Sequence, residues 1–173
     1  MLDEANIRAY LSSEYPRLVA GLALVLGGRA AAEDAVQEAL VRAWERTARG
    51  ETIDSLPDWV AVVAMNLLRS RLRRLRAELR ATERLAARDR HLGNPGWGQG
   101  HSEERLDLAR ALRSLPRRQR EALVLHYFGG LGVAEIAHAL RVREGAAKSL
   151  LHRARASMAS ELGKTYRRGG PDA

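Results

Sequence analysis

Apolar residues recur along this chain at helical spacing, and nothing in it alternates like a strand. The clearest case is the stretch from Val133 to Met158. Ala147, Leu151, Ala154 and Met158 are separated by four, three and four residues, which puts them on one buried helical stripe. Lys148, Ser149, His152 and Arg153 fall on the other side of that helix. Just before it, Ala134, Ile136, Ala137 and Leu140 give a shorter apolar side. The pattern is that of two short helices joined by a tight turn, a helix-turn-helix. A helix that hides alanine and leucine behind a row of donors suits a DNA major groove. A helical hairpin with a solvated basic face has the same spacing, so the pattern alone leaves both open.

The rest of the chain is helical too. Residues 3–14 form a first helix, and Pro16 is placed to open the next, where its missing N–H would have no partner. Leu18, Val19, Leu22, Leu24, Val25 and Leu26 make that helix apolar nearly all round, and Gly27-Gly28 ends it in a left-handed cap. Residues 30–47 turn Val36, Ala39, Leu40, Ala43 and Trp44 inward. Glu33, Asp34, Gln37, Glu38 and Glu45 lie toward the opposite side, with acidic residues near the helix start suiting its dipole. A loop over 49–57 carries Gly50 and Pro57, and Asp54 or Ser55 caps the next helix. That helix is long and runs to at least Arg80, with Val60, Val63, Ala64, Leu67, Leu68, Leu72, Leu75 and Leu79 inside. Along another side Asn66, Arg69, Arg73, Arg76 and Arg80 recur at steps of three and four.

Residues 91–101, HLGNPGWGQGH, break all periodicity and read as a flexible linker, with Trp97 as its odd member. The expected organisation is all-α: two small helical domains, 1–90 and 102–162, and a disordered tail over 163–173. The second domain starts at Ser102 as N-cap, with Leu106, Ala109, Leu112 and Leu115 on or beside one face. Pro116 opens a helix through Phe128, with Ala122, Leu123, Leu125 and Tyr127 among its apolar residues, closed by Gly129-Gly130.

Charge sharpens this picture. The 173 residues carry a formal net charge of +8, which favours a polyanionic partner. The charge is unevenly placed. Residues 1–68 have a net of −4, whereas residues 69–90 have a net of +6. The Asn66–Arg80 stripe is thus either a solvated arginine face or a phosphate-tracking surface. There is no cysteine and hence no disulfide or thiolate metal site. The histidines at 91, 101, 126, 138 and 152 lack ligand spacing. No phosphate-cradling glycine loop occurs, so neither cofactor, metal nor enzymatic activity is expected. MLDEANIRAYL has the character of neither a signal peptide nor a membrane anchor, and a cytoplasmic protein is expected.

Four segments in order resemble the extracytoplasmic-function (ECF) sigma factors of bacterial RNA polymerase. AEDAVQEALVRAWER (32–46) resembles the family's core-binding helix, and LPDWVAVVAMNLLRSRLRRLR (56–76) the segment that reads and melts the −10 element. LPRRQREALVLHYFGGLGVAEIAHAL (115–140) and EGAAKSLLHRARASM (144–158) resemble the domain that reads the −35 element. The resemblance implies an initiation factor. Asp34, Gln37 and Glu38 would dock on the clamp of the polymerase's largest subunit. Asn66, Arg69, Arg73, Arg76 and Arg80 would face promoter DNA at −10, and Lys148, Ser149, His152, Arg153 and Arg155 would meet it at −35. The loop over 49–57 lies where the family captures an unstacked base, and an anti-sigma protein is an implied partner. Ala146 and Ala147 replace a common Thr-Val, Leu150 a frequent arginine, and Val133 a frequent hydroxyl-bearing residue, which weakens the carry-over of −35 specificity. A stand-alone helix-turn-helix regulator is the competing reading. The acidic face at Asp34, Gln37 and Glu38 speaks against it.

Overall fold

The computed structural model describes residues 4–26, 28–83 and 103–168, and its elements are seven α-helices with no strand among the described residues. The chain divides into two compact units, Met1–Gly96 and Trp97–Ala173. The linker expected over 91–101, Trp97 within it, and the cap at Ser102 lie outside the described residues.

Unit 1 is a three-helix packing of α1 (Glu4–Leu26), α2 (Arg29–Ala48) and α3 (Leu56–Glu83), each touching the other two. Leu18, Val19 and Leu22 of α1 meet Ala32, Val36, Ala39 and Ala43 of α2 and Val60, Ala64, Met65 and Leu68 of α3 in one buried core. The alanine-lined face of α2 lets its neighbours approach closely.

The pattern misjudged several positions. Pro16 does not open a helix; it sits inside α1, which runs unbroken across it. Proline there removes one backbone bond, but Pro16 is exposed, so water can serve the carbonyl left without a donor. A single helix also buries Tyr10 before the proline and Leu18 after it. Gly28 is extended (φ −159°) and caps the start of α2, so its role needs no left-handed freedom. Trp44 is 56% exposed rather than in the core. The inward stripe of α2 is centred on Ala32, Val36, Ala39 and Ala43, and Trp44 stands about 100° round the helix from Ala43. Leu40, beside that stripe, is half-buried, and Leu75 on α3 is exposed. The cap of α3 is Ser55, whose Oγ accepts the Asp58 N–H at 3.4 Å.

Unit 2 comprises α4 (Glu103–Ser114), α5 (Arg117–Tyr127), α6 (Val133–Leu140) and α7 (Glu144–Arg168). α7 packs against α4, α5 and α6 and is the axis of the unit. Ala147, Leu151 and Ala154 are buried on it as the spacing requires, and Met158 is half-buried. α5 ends at Tyr127 with Phe128 as its cap, and the turn that follows takes Gly130 to φ +75°, the left-handed position that glycine adopts most cheaply. On α6 the buried positions are Ile136, Ala137, Ala139 and Leu140, while Ala134 faces solvent. α7 continues to Arg168, past the point where a disordered tail was expected. Gly163 weakens a helix by about 1 kcal/mol, and its neighbours Leu162 and Lys164 are strong enough helix formers to carry it through.

Candidate nucleic-acid and protein interfaces

The turn between α6 and α7 sets the angle at which α7 is presented. Arg141 caps α6 at φ 54°, a left-handed conformation rare for any residue but glycine. The Val142 N–H then reaches the Ala137 carbonyl at 3.0 Å, and the Arg118 guanidinium donates to the Leu140 carbonyl at 3.0 Å. At the other end of α6 the Glu135 carboxylate accepts the Gly132 N–H at 2.6 Å. Both ends of this short helix are therefore tied.

Lys148, Ser149, His152 and Arg153 are all exposed and together line one shallow depression on α7. Ser149 donates its hydroxyl to the Gly145 carbonyl at 2.8 Å, and Arg153 donates Nε to the Ser149 carbonyl at 3.2 Å. The Arg153 guanidinium is thus laid along the helix with its two terminal nitrogens not engaged by that bond. Those are the nitrogens that reach a guanine edge bidentately. Arg155 stands apart from this group. Its Nε donates to the Tyr127 hydroxyl at 3.0 Å, and its guanidinium carbon is 5.7 Å from the Tyr127 ring centre. His126 packs edge-on to Tyr127 at 4.8 Å and is itself 2.9 Å from the Leu131 carbonyl through Nδ1. A relay of contacts from α5 fixes where Arg155 points, and no spacing in the chain signals it. Of the departures from the family pattern, Ala147 is fully buried, whereas Ala146 is exposed and Leu150 half-buried.

On unit 1, Gln37 and Glu38 are exposed on α2. Gln37 donates to the Tyr15 hydroxyl at 3.4 Å, and Glu38 pairs with Arg42 at 2.8 Å. Asp34 is exposed as well, and Arg71 of α3 bonds it at 3.1 Å, a link across helices that spacing could not reveal. Exposed Val41 and Trp44 flank the Gln37 side of this face. α1 and α2 form an antiparallel hairpin, and the Tyr15–Gln37 bond sets its register. Leu11, four residues before Tyr15 and also exposed, is therefore level with Val41, four residues after Gln37. Apolar surface and carboxylates share one side of the unit.

On α3, Arg73 and Arg80 are exposed, while Asn66 and Arg69 are half-buried. The Arg69 guanidinium reaches Asn66 Oδ1 at 3.5 Å, and Arg73 donates to Ser70 Oγ at 3.0 Å. The Arg76 and Leu79 side chains lie outside the described residues. The loop before α3 is braced by Glu51, which pairs with Arg46 at 2.8 Å and Arg49 at 3.5 Å. Beside it, α1 and the loop enclose a cleft of about 450 Å³. No cluster of metal-ligating side chains occurs among the described residues.

The chain is similar to known proteins in both units. Residues 11–78 match the family model "Sigma-70 region 2", and residues 105–158 match "Sigma-70, region 4". The chain is 33% identical to the ECF RNA polymerase sigma factor SigL of Mycobacterium tuberculosis, over 94% of either protein. It is 28% identical to the ECF RNA polymerase sigma factor SigW of Bacillus subtilis, over 80% of this chain and 79% of the relative. Among solved structures it is similar to the sigma factor RpoE of Bartonella quintana in complex with the anti-sigma factor NepR. That likeness has a TM-score of 0.71 and 25% identity, covering 91% of this chain and 97% of the other.

Proposed function

Since the chain belongs to the extracytoplasmic-function sigma factors of RNA polymerase, we propose that it docks on core polymerase through α2 and reads promoter DNA with α3 and α7. Its family is a group of transcription initiation factors, and the polymerisation chemistry belongs to the core enzyme. Asp34, Gln37 and Glu38 contact the clamp of the largest subunit, and Leu11, Val41 and Trp44 add the apolar centre that an interface needs. Asn66, Arg69, Arg73, Arg76 and Arg80 track the −10 element. The loop over 49–57 holds an unstacked base, since melting exposes edges that a duplex hides. Lys148, Ser149, His152 and Arg153 read base edges at −35, and Arg155 takes a phosphate.

The observation that carries this reading is the match of both sigma regions, in order, in a chain that covers a known ECF sigma factor almost end to end. An anti-sigma protein is the proposed inhibitory partner, on the likeness to a sigma factor solved with one. No helix among the described residues is long and apolar enough to cross a membrane, and the proposed location is the cytoplasm, where the polymerase works. Run-off transcription with purified core polymerase on a genomic fragment library is the test. Promoter-dependent transcripts that require this chain support the assignment. Duplex binding without polymerase, and no transcript with it, would instead favour a stand-alone regulator.

A further inference from the structure

The turn between α6 and α7 gathers positive charge that the fold does not use. Arg141 and Arg143 are both exposed, and neither side chain has a hydrogen bond or ion pair with a described residue. Arg118 reaches the same place from α5. Its Nη1 donates to the Leu140 carbonyl at 3.0 Å, and that carbonyl belongs to the peptide joining Leu140 to Arg141. One end of the Arg118 guanidinium therefore lies within about 6 Å of the Arg141 Cα. The same nitrogen is 3.9 Å from the Glu121 carboxylate, but Glu121 is fully buried and already accepts the Arg117 Nε–H at 2.7 Å. The Arg118 side chain remains 56% exposed. Arg117, Arg118, Arg141 and Arg143 thus stand against Glu121 and Glu144, and the turn keeps a positive excess.

Arginine is a poor choice for the left-handed position that Arg141 holds at φ 54°. Glycine would close the turn with less strain. The bond from the Val142 N–H to the Ala137 carbonyl needs only backbone, so the turn makes no use of the Arg141 guanidinium. A strained residue with an idle charged side chain points to a ligand outside the chain. Its charge makes that ligand an anion. The guanidiniums are exposed rather than enclosed, and a free small anion needs donors on several sides. One phosphate of a polymer is held by its neighbours as well, and by the counterions it releases. The turn precedes Lys148 and Ser149 by about 6–8 Å along the α7 axis, the rise of about two base pairs. A strand bordering a groove that holds α7 would pass this turn.

We infer that Arg118 and Arg141 together hold one phosphate of the promoter backbone at the α6–α7 turn, with Arg143 adding to the local potential. The inference rests on the −35 reading of α7 above. It adds a contact that carries no sequence information but fixes the register in which α7 meets the bases.

The full-length protein and a random-sequence duplex test this, because a phosphate contact does not depend on sequence. Affinity is measured from about 50 to 200 mM salt. Arg141→Gly relieves the backbone and removes the guanidinium. The variant should melt at the same temperature or higher, yet bind roughly tenfold more weakly at about 0.1 M salt, the worth of one phosphate contact. Arg141→Lys restores the charge at the same strained position and should recover most of the affinity. Arg118→Gln keeps a donor for the Leu140 carbonyl. Combined with Arg141→Gly, it should flatten log K against log salt by about one unit and not by two, since the phosphate is shared. Wild-type affinity in Arg141→Gly would overturn the inference, as would a double variant whose slope changes by two units or not at all. Inorganic phosphate should leave the melting temperature of the wild type in place. A rise that Arg141→Gly abolishes would make free phosphate the ligand instead. Lys148→Ala with Arg153→Ala serves as the control on the underlying reading. If it leaves duplex binding intact, the DNA-facing role of α7 fails, while the Arg141 variants still decide the turn.

Discussion

Arg141 holds a left-handed conformation that costs a residue with a Cβ roughly 1–2 kcal/mol. Glycine adopts it freely, although glycine also loses more entropy on folding. Arg141→Gly should therefore stabilise the protein by about 1 kcal/mol, read as a rise in the urea midpoint. Tyr127 is a second residue whose role lies in its contacts. Tyr127→Phe keeps the ring beside Arg155 but removes the acceptor of its Nε–H. If Arg155 meets a phosphate, the variant should weaken every −35 duplex alike, and it should have no further effect once Arg155 is alanine. Equal losses in both backgrounds would show that Tyr127 acts without Arg155. Trp44→Ala should change stability by about 0.5 kcal/mol or less, because the side chain is mostly in solvent, yet weaken polymerase association in a pull-down. At this scale the sequence was only partly legible. Trp44 and Ala43 are neighbours in the chain, and a stripe of small alanines fixes its own centre poorly when a large apolar residue stands beside it. The partnerless hydroxyl of Tyr10 and the Asp34–Arg71 link depend on which helices meet, and no spacing encodes that.

Helices were legible where their period was clean. α7 buries Ala147, Leu151 and Ala154 as its spacing demands, and Lys148, Ser149, His152 and Arg153 gather outside. Arg153→Ala should cost about 1–3 kcal/mol at the −35 element and relax preference at one base pair. Titration of single-substituted duplexes against the holoenzyme checks this, and an equal loss for every duplex would assign Arg153 to the backbone instead. α1 was misread because a proline at its middle resembles a boundary locally, whereas burial on both sides of it holds one helix. α5 carries a feature that its amphipathic pattern hides. Glu121 is fully buried and meets Arg117 at 2.7 Å and Arg118 at 3.9 Å. The i,i+4 spacing of Arg117 and Glu121 is visible in the sequence, but such pairs are ordinarily solvated. Here the carboxylate has left water and requires its cation.

That buried pair gives the whole molecule its sharpest test. Each unit has its own core: Leu18 to Leu68 in one, Ala109 to Ala154 in the other. The division was anticipated from the glycine-rich 91–101 stretch and the change of charge before it, because composition reports a break in packing even where it cannot report geometry. Arg117→Ala removes the nearer cation from Glu121 and should destabilise unit 2 by roughly 3 kcal/mol, the low end for breaking a buried pair since Arg118 remains. The Arg117–Glu121 pair lies within α5, in unit 2, and distant sites contribute independently to stability. Unit 1 should then unfold at its wild-type midpoint. With Trp97, the first residue of unit 2, replaced by Phe in both proteins, the remaining Trp44 and Trp59 lie in unit 1, so tryptophan fluorescence reports on that unit while circular dichroism follows the helices of both. The expected result is an early loss of helical signal in Arg117→Ala with the fluorescence transition unmoved. Two transitions that shift together would mean that the units share stability, and the separate assignment of −10 and −35 reading to independent bodies would have to be given up.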